Sequence, residues 1–542
     1  MDKRLLSLVT VLGLTILGCE STPTKEEIAD ASEQCSSLYN DKQYATAYPL
    51  CEKACANNDG AGCQGLGLLY HFGKGEMPDY QQAAQYYQKA CNLNNGSGCY
   101  NLGTLYLYGN GVSKDEQQAF QYFQKACNLN DTDGCYNLGV LYRDGIGVIQ
   151  NHQQAVQYFQ KACGMNDALG CNNLGNLYNR GEGVKQDHQK ANYYFQKACD
   201  MNEGSGCYNL GLSYENGTGV KHDYHKAHTL YDKACNLGVN VGCYNLGYFY
   251  DEGKGVKQDY QLANHYYQKA CDMNDSSGCN NLGSLYRHGR GVKQDYNLAT
   301  HYYQKACELN NSFGCFNLGY LYNNGEGVKK DFKQANKYYL KACELNNSFG
   351  CFNLGNSYYV GEGVKQDHHL ANKYYQKACD MNNSTACFNL GNSYYNGNGV
   401  KKDFKQANKY YLKACELNYS TGCLNIGNSY RKGEGVKQDY HQANQYFQKA
   451  CDLNDGDGCN SLGFSYGKGH GARQDFQQAM YYYKKACDLK YGMGCYNVGV
   501  LYYNGEGVKQ NKNTSKWYYG KACDFGYQEG CDEYRKLNEK GY

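Results

Sequence analysis

Along most of this chain, apolar and small residues return in one fixed order every 36 residues. Residues 96–131, GSGCYNLGTLYLYGNGVSKDEQQAFQYFQKACNLND, carry the pattern. At about 100° per residue, Cys99, Leu102, Gly103 and Tyr106 share one helix face, which predicts a first helix from about Cys99 to Tyr108. Ala119, Tyr122, Phe123 and Ala126 align in the same way, predicting a second helix from about Asp115 to Leu129. Gly109-Asn110-Gly111 stops the first helix, and Asp115 is placed to cap the second. Asn130, with Asn or Gly at nearly every equivalent position, suits a left-handed residue after a helix end. Tandem periods of about 20–50 residues mark stacked-repeat architectures. The expected fold is therefore all-α: an α/α superhelical solenoid of 36-residue helix hairpins.

Thirteen full units occupy residues 60–527. A shortened unit at 26–59 precedes them, and residues 528–542 form a charged last helix; both are expected to act as caps. Thirteen glycines from Gly67 to Gly499, Gly103 among them, sit in mid-helix. Each costs up to about 1 kcal/mol relative to alanine, so a compensating close contact between helices is expected. The only prolines are Pro23, Pro49 and Pro78, consistent with helices joined by glycine turns. A formal net charge of +2 gives no field for nucleic acid, and 60 tyrosines argue against disorder.

The N-terminus is of another kind. Lys3 and Arg4 precede an apolar run from Leu5 to Leu17, which reads as a signal peptide over residues 1–18. Ile16-Leu17-Gly18-Cys19 resembles a bacterial lipobox, so Cys19 is the expected lipidation site, with residues 19–25 as anchor and tether; plain secretion is the alternative. No other stretch is long and apolar enough to span a bilayer, so a membrane is met only through the lipid. The expected location is the periplasm, the outer membrane or the cell surface.

Thirty of the 31 cysteines fall into a framework. One series is Cys55, Cys91, Cys127, Cys163, Cys199, Cys235, Cys271, Cys307, Cys343, Cys379, Cys415, Cys451, Cys487 and Cys523. The other, eight residues later each time, is Cys63, Cys99, Cys135, Cys171, Cys207, Cys243, Cys279, Cys315, Cys351, Cys387, Cys423, Cys459, Cys495 and Cys531. Cys35 and Cys51 make one further pair. Neither zinc knuckles nor C-x-x-C redox motifs fit this spacing, whereas an exported chain with paired cysteines fits structural disulfides. Each cysteine can close the short loop or reach the cysteine 28 positions on, across a hairpin. The short loop is easier to close during folding and is the expected pairing.

The string CYNLGTLYLYGNGV…QAFQYFQKAC resembles the Sel-one-like repeat, a 36-residue relative of the tetratricopeptide repeat. Cysteines eight apart make the chain similar to secreted Helicobacter cysteine-rich proteins. That resemblance implies a protein-interaction scaffold. It also implies, as the alternative, a weak penicillin-binding β-lactamase, with a β-lactam as possible ligand; a purely architectural envelope protein is a further alternative.

The first helix also suggests where a ligand lies. Asn101, Asn137, Asn173, Asn209, Asn245, Asn281, Asn317, Asn353, Asn389, Asn425 and Asn497 occupy one position, broken only by Gly65 and Ser461. Beside it, the Thr104 and Tyr108 positions vary widely. An amide both donates and accepts, so a constant Asn row can hold the backbone of an extended peptide while variable rows read its side chains. The alternatives are that Asn caps or bridges neighbouring turns, or is a relic of duplication. Other motifs carry little. The G-x-G-V loops lack the strand of a nucleotide fingerprint. His222, His225 and His228 read as a polar face, and no metal or cofactor is expected. Ser429-x-x-Lys432 and Ser465-x-x-Lys468 spell S-x-x-K without S-D-N or K-T-G partners, so no catalytic residue is assigned.

Overall fold

In the computed structural model, residues 23–73 and 77–542 are described; the signal segment and Cys19 lie outside them. These residues form 29 helices and no strand. They belong to two units, Met1–Gly242 and Cys243–Tyr542, each a tandem stack of helix hairpins. No helix among the described residues is long and apolar enough to cross a membrane.

One repeat explains the rest. Its first helix runs Gly96–Tyr108, beginning three residues before the position expected from apolar spacing. The reason is a cap: the Asn95 side chain accepts from the Gly98 amide at 2.7 Å, which satisfies a free donor of the first turn. Gly109, at φ +75°, ends the helix in the left-handed region, its N–H donating to the Leu105 carbonyl. The second loop glycine, Gly111 (φ +69°), has no room for a Cβ because it presses on the backbone of Tyr80 in the preceding repeat. The second helix, Glu116–Asn128, starts at Asp115, whose carboxylate accepts from the Gln117 and Gln118 amides at 3.0 and 2.9 Å. Asn130 is left-handed at φ 61°, and the next residue's N–H closes on the Ala126 carbonyl at 3.0 Å.

Packing follows the sequence pattern. Leu102, Leu105, Ala119, Phe123 and Ala126 are buried. A Cβ on Gly103 would stand 2.9 Å from the Phe123 ring and 3.3 Å from the Ala119 carbonyl oxygen. The close partner of the mid-helix glycine is thus chiefly an aromatic ring of its own hairpin. Tyrosine pairs 16 residues apart stack within hairpins, as in Tyr106–Tyr122 at 5.5 Å, which accounts for many of the tyrosines.

The disulfides join one hairpin to the next. Cys91 ends the helix Tyr80–Asn92 and Cys99 lies in the helix Gly96–Tyr108, with Cα atoms 4.5 Å apart. The same i, i+8 bond joins, in Met1–Gly242, Cys55–Cys63, Cys127–Cys135, Cys163–Cys171 and Cys199–Cys207. In Cys243–Tyr542 it joins Cys271–Cys279, Cys307–Cys315, Cys343–Cys351, Cys379–Cys387, Cys415–Cys423, Cys451–Cys459, Cys487–Cys495 and Cys523–Cys531. Cys35 bonds Cys51 in the first hairpin, and Cys235 and Cys243 are each disulfide-bonded. Lysines reinforce the same junction: Lys125 Nζ donates to the Cys91 carbonyl at 2.7 Å and Lys341 Nζ to the Cys307 carbonyl at 2.7 Å. A cation at a helix C-terminus meets the negative end of the helix dipole.

Candidate functional site

The eleven row asparagines are all half-buried on their first helices, so each offers part of its amide to the surface. Much of that capacity is used within the chain. Asn137, Asn173 and Asn353 donate to the carbonyls of Asp133, Leu169 and Phe349 in their own helices, at 2.9, 3.0 and 2.8 Å. Asn209, Asn317 and Asn497 reach back one repeat to Asn172, Asn280 and Asn460, at 2.9, 3.0 and 2.8 Å. Those three acceptors are the asparagines at a position that is otherwise mostly Tyr or Phe, so the bridge forms wherever the sequence supplies a second amide. Asn281 accepts from Asn280 at 3.2 Å. Capping and bridging therefore occupy part of the row.

Asn389 and Asn425 each line a cavity between successive first helices. The first cavity, about 170 Å³, is bounded by Asn356, Tyr359, Tyr375, Asn389, Asn392, Ser393 and Asn398. The second, about 300 Å³, lies one repeat on and includes Tyr395, Tyr411, Asn425, Asn428, Ser429, Lys432 and Glu434. The Tyr375 and Tyr411 hydroxyls donate to the Asn356 and Asn392 side-chain oxygens, both at 2.7 Å, and burial raises both phenol pKa values. In Met1–Gly242 an equivalent cavity of about 160 Å³ is lined by Asn179, Phe195, Asn209 and Ser213. Of the variable rows, Tyr108 and Val360 are well exposed.

The S-x-x-K pair Ser429 and Lys432 thus meets in one cavity, which spacing alone did not reveal. Lys432 Nζ is held 3.9 Å from the Glu434 carboxylate. Ser465 is buried in the helix Gly456–Lys468. Among the described residues no cluster of three or more His, Cys, Asp or Glu is placed to hold a metal ion. His225 and His228 lie on the helix Tyr224–Asn236, with His222 ahead of its Asp223 cap.

Repeated two-helix units with caps at their turns, a polar first-helix face and staples between hairpins define a repeat scaffold of the kind that binds proteins. The Sel1 repeat profile matches thirteen consecutive segments from 61–95 to 492–527, and the chain belongs to the Sel1 repeat family. It is similar to c5321, a protective antigen of uropathogenic Escherichia coli displaying an SLR fold, at 29% identity over 84% of this chain and 97% of that one, with a TM-score of 0.56. It is also similar to Helicobacter pylori cysteine rich protein B, at 40% identity over 24% of this chain and 92% of that one, with a TM-score of 0.21. A Sel1 repeat protein from Oxalobacter formigenes is 22% identical over 56% of this chain and 87% of that one, with a TM-score of 0.46. No curated protein matches the chain.

Proposed function

We propose that this protein is an exported scaffold that holds extended protein segments against its first-helix face. The observation that carries the reading is the placement of Asn389 and Asn425 at the walls of successive open cavities, beside Tyr375 and Tyr411. An amide at such a wall can donate to a peptide carbonyl and accept from a peptide N–H. The disulfides fit this work in two ways. They belong to oxidising compartments, and they stiffen a stack whose repeats touch only their neighbours, so less order has to be gained on binding. Lipid attachment at Cys19, after removal of residues 1–18, is part of the proposal and is tested by the mass of the mature N-terminal peptide. The caps at 26–59 and 528–542 would keep the stack ends soluble.

The test is site-specific photo-crosslinking in the producing cell, with the probe at Tyr359 or Tyr395 and a control probe at exposed Lys409. The groove probes should yield a discrete adduct that the control does not. Asn389→Ala with Asn425→Ala should remove it, and an undiminished adduct in that double variant would refute the reading.

A further inference from the structure

Two positions after the mid-helix glycine, eight repeats place a large apolar residue: Leu in seven, and Phe249. These side chains are core. In five repeats the same position is serine: Ser213, Ser357, Ser393, Ser429 and Ser465. All five are buried, Ser393 at 2% and Ser429 at 3% exposure. Replacing a core leucine by serine removes apolar volume and buries a hydroxyl, and both changes destabilise. Four of the five fall in consecutive repeats, 357 to 465.

At three of the five serines a cavity is found. Ser213, Ser393 and Ser429 each line one, in the same register. The repeat with Gly175-Asn176-Leu177-Tyr178 differs from Gly427-Asn428-Ser429-Tyr430 at this tetrapeptide only by the leucine, and Leu177 is packed in the core. The polar walls are also incompletely used. Ser213, Ser357 and Ser393 return their hydroxyls to the carbonyl four residues back, each at 3.1 Å. Ser429 forms no corresponding bond, and the buried Oδ1 of Asn428 in the same cavity has no partner. A buried acceptor without a protein partner can be satisfied by a donor that comes to it from the cavity, a water or a ligand group.

Size and chemistry narrow that group. The Ser393 cavity, about 170 Å³, lies below the range of roughly 300–1,000 Å³ typical of whole small-molecule sites. It is close to the roughly 150 Å³ cavity that holds one benzene, so it suits a group of about six heavy atoms. Its walls are amides and hydroxyls without a net charge. The Ser429 cavity is larger, about 300 Å³, and its two charged residues, Lys432 and Glu434, are paired with each other at 3.9 Å, which leaves Asn425, Asn428 and Ser429 as its neutral wall. An apolar group would leave them unpaired and a charged group would be desolvated without a counter-ion. A carboxamide both donates and accepts. Spacing adds a register: stacked helices repeat at about 10 Å, and every third residue of a polyproline II segment recurs after about 9.3 Å.

We propose that the consecutive serine-bearing repeats around Ser393 and Ser429 form a reading segment. The two cavities there each take one carboxamide side chain, Gln or Asn, three positions apart on a peptide in polyproline II conformation. This rests on the groove reading above.

The test is binding of three labelled peptides, Ac-(Gln-Ala-Pro)4-NH2 and its Leu and Glu counterparts, to the full oxidised protein by fluorescence anisotropy. The Gln peptide should bind at least tenfold more tightly than the other two. Ser393→Leu with Ser429→Leu should weaken it at least tenfold while raising the melting temperature, since leucine is the resident side chain at this register in other repeats. Equal affinity for the three peptides, or unchanged Gln-peptide binding in the double variant, overturns the inference and leaves the groove standing. Binding of none of the three also overturns it, and the groove falls with it only if the Asn389→Ala/Asn425→Ala cross-link is also undiminished.

Discussion

Two glycines in one helix give the same substitution opposite signs. In the helix Gly456–Lys468, a Cβ on Gly463 would lie 2.8 and 2.9 Å from Cδ1 and Cε1 of Tyr483 and 3.2 Å from the Ala479 carbonyl oxygen. A Cβ on Gly467 would meet only the Ala479 Cβ at 3.6 Å and the Tyr483 hydroxyl at 3.9 Å, which is ordinary contact. Replacing a helical glycine by alanine gains up to about 1 kcal/mol in propensity. At Gly467, close to the helix end, Gly467→Ala should keep roughly half of that or more. At Gly463 the ring is buried and the carbonyl is backbone, so neither can withdraw freely. Overpacking of about 1–3 kcal/mol then exceeds the propensity gain, and Gly463→Ala should lose up to about 2 kcal/mol. Because repeats are coupled mainly to their neighbours, the effect belongs to the peptides around 456–504. Native-state hydrogen exchange with mass spectrometry reads local opening free energies there. Slower exchange in Gly463→Ala than in wild type, or equal behaviour of the two variants, would show that the glycine is not retained for the ring contact.

Other expectations follow from single contacts. Cys415→Ala with Cys423→Ala opens one staple and should cost about 2.5 kcal/mol on the loop-entropy estimate, read as faster exchange confined to the flanking hairpins. Lys341→Met removes the Nζ–Cys307 carbonyl bond and should cost about 1 kcal/mol at a partly buried site, checked by urea unfolding. Burial first, with Asp455 as a like charge, raises the Asp457 pKa. The folded state therefore holds that proton more tightly than the unfolded one, so this group favours folding at low pH and loses that contribution as pH rises through the raised value. Asp457→Asn should raise stability at pH 7 and leave it little changed at pH 3, again by urea unfolding. Purified protein should turn over a chromogenic β-lactam no faster than background. Turnover lost in Ser429→Ala or Ser465→Ala would instead assign a serine nucleophile.

The sequence alone determined the repeat, its two helices and their turns, because each depends on neighbours in the chain. Asp115 caps from the position its residue type implies, and Asn130 takes the left-handed conformation that its short amide tolerates. The helix start at Gly96 was less legible, since Asn95 acts through a side chain three residues ahead of the apolar pattern. Across repeats the sequence reached only the staples, whose expected short-loop pairing ties one hairpin to the next. That Lys125 reaches a carbonyl 34 residues back, and that Asn317 leans on Asn280, depend on how hairpins stack. The same holds for the serines. In the sequence, Ser393 and Ser429 look like small changes in a helix, and only the tertiary structure shows that they stand where leucine fills the core. A periodic sequence encodes each hairpin locally, but a cavity is space between hairpins, and that space is set by side chains far apart in the chain.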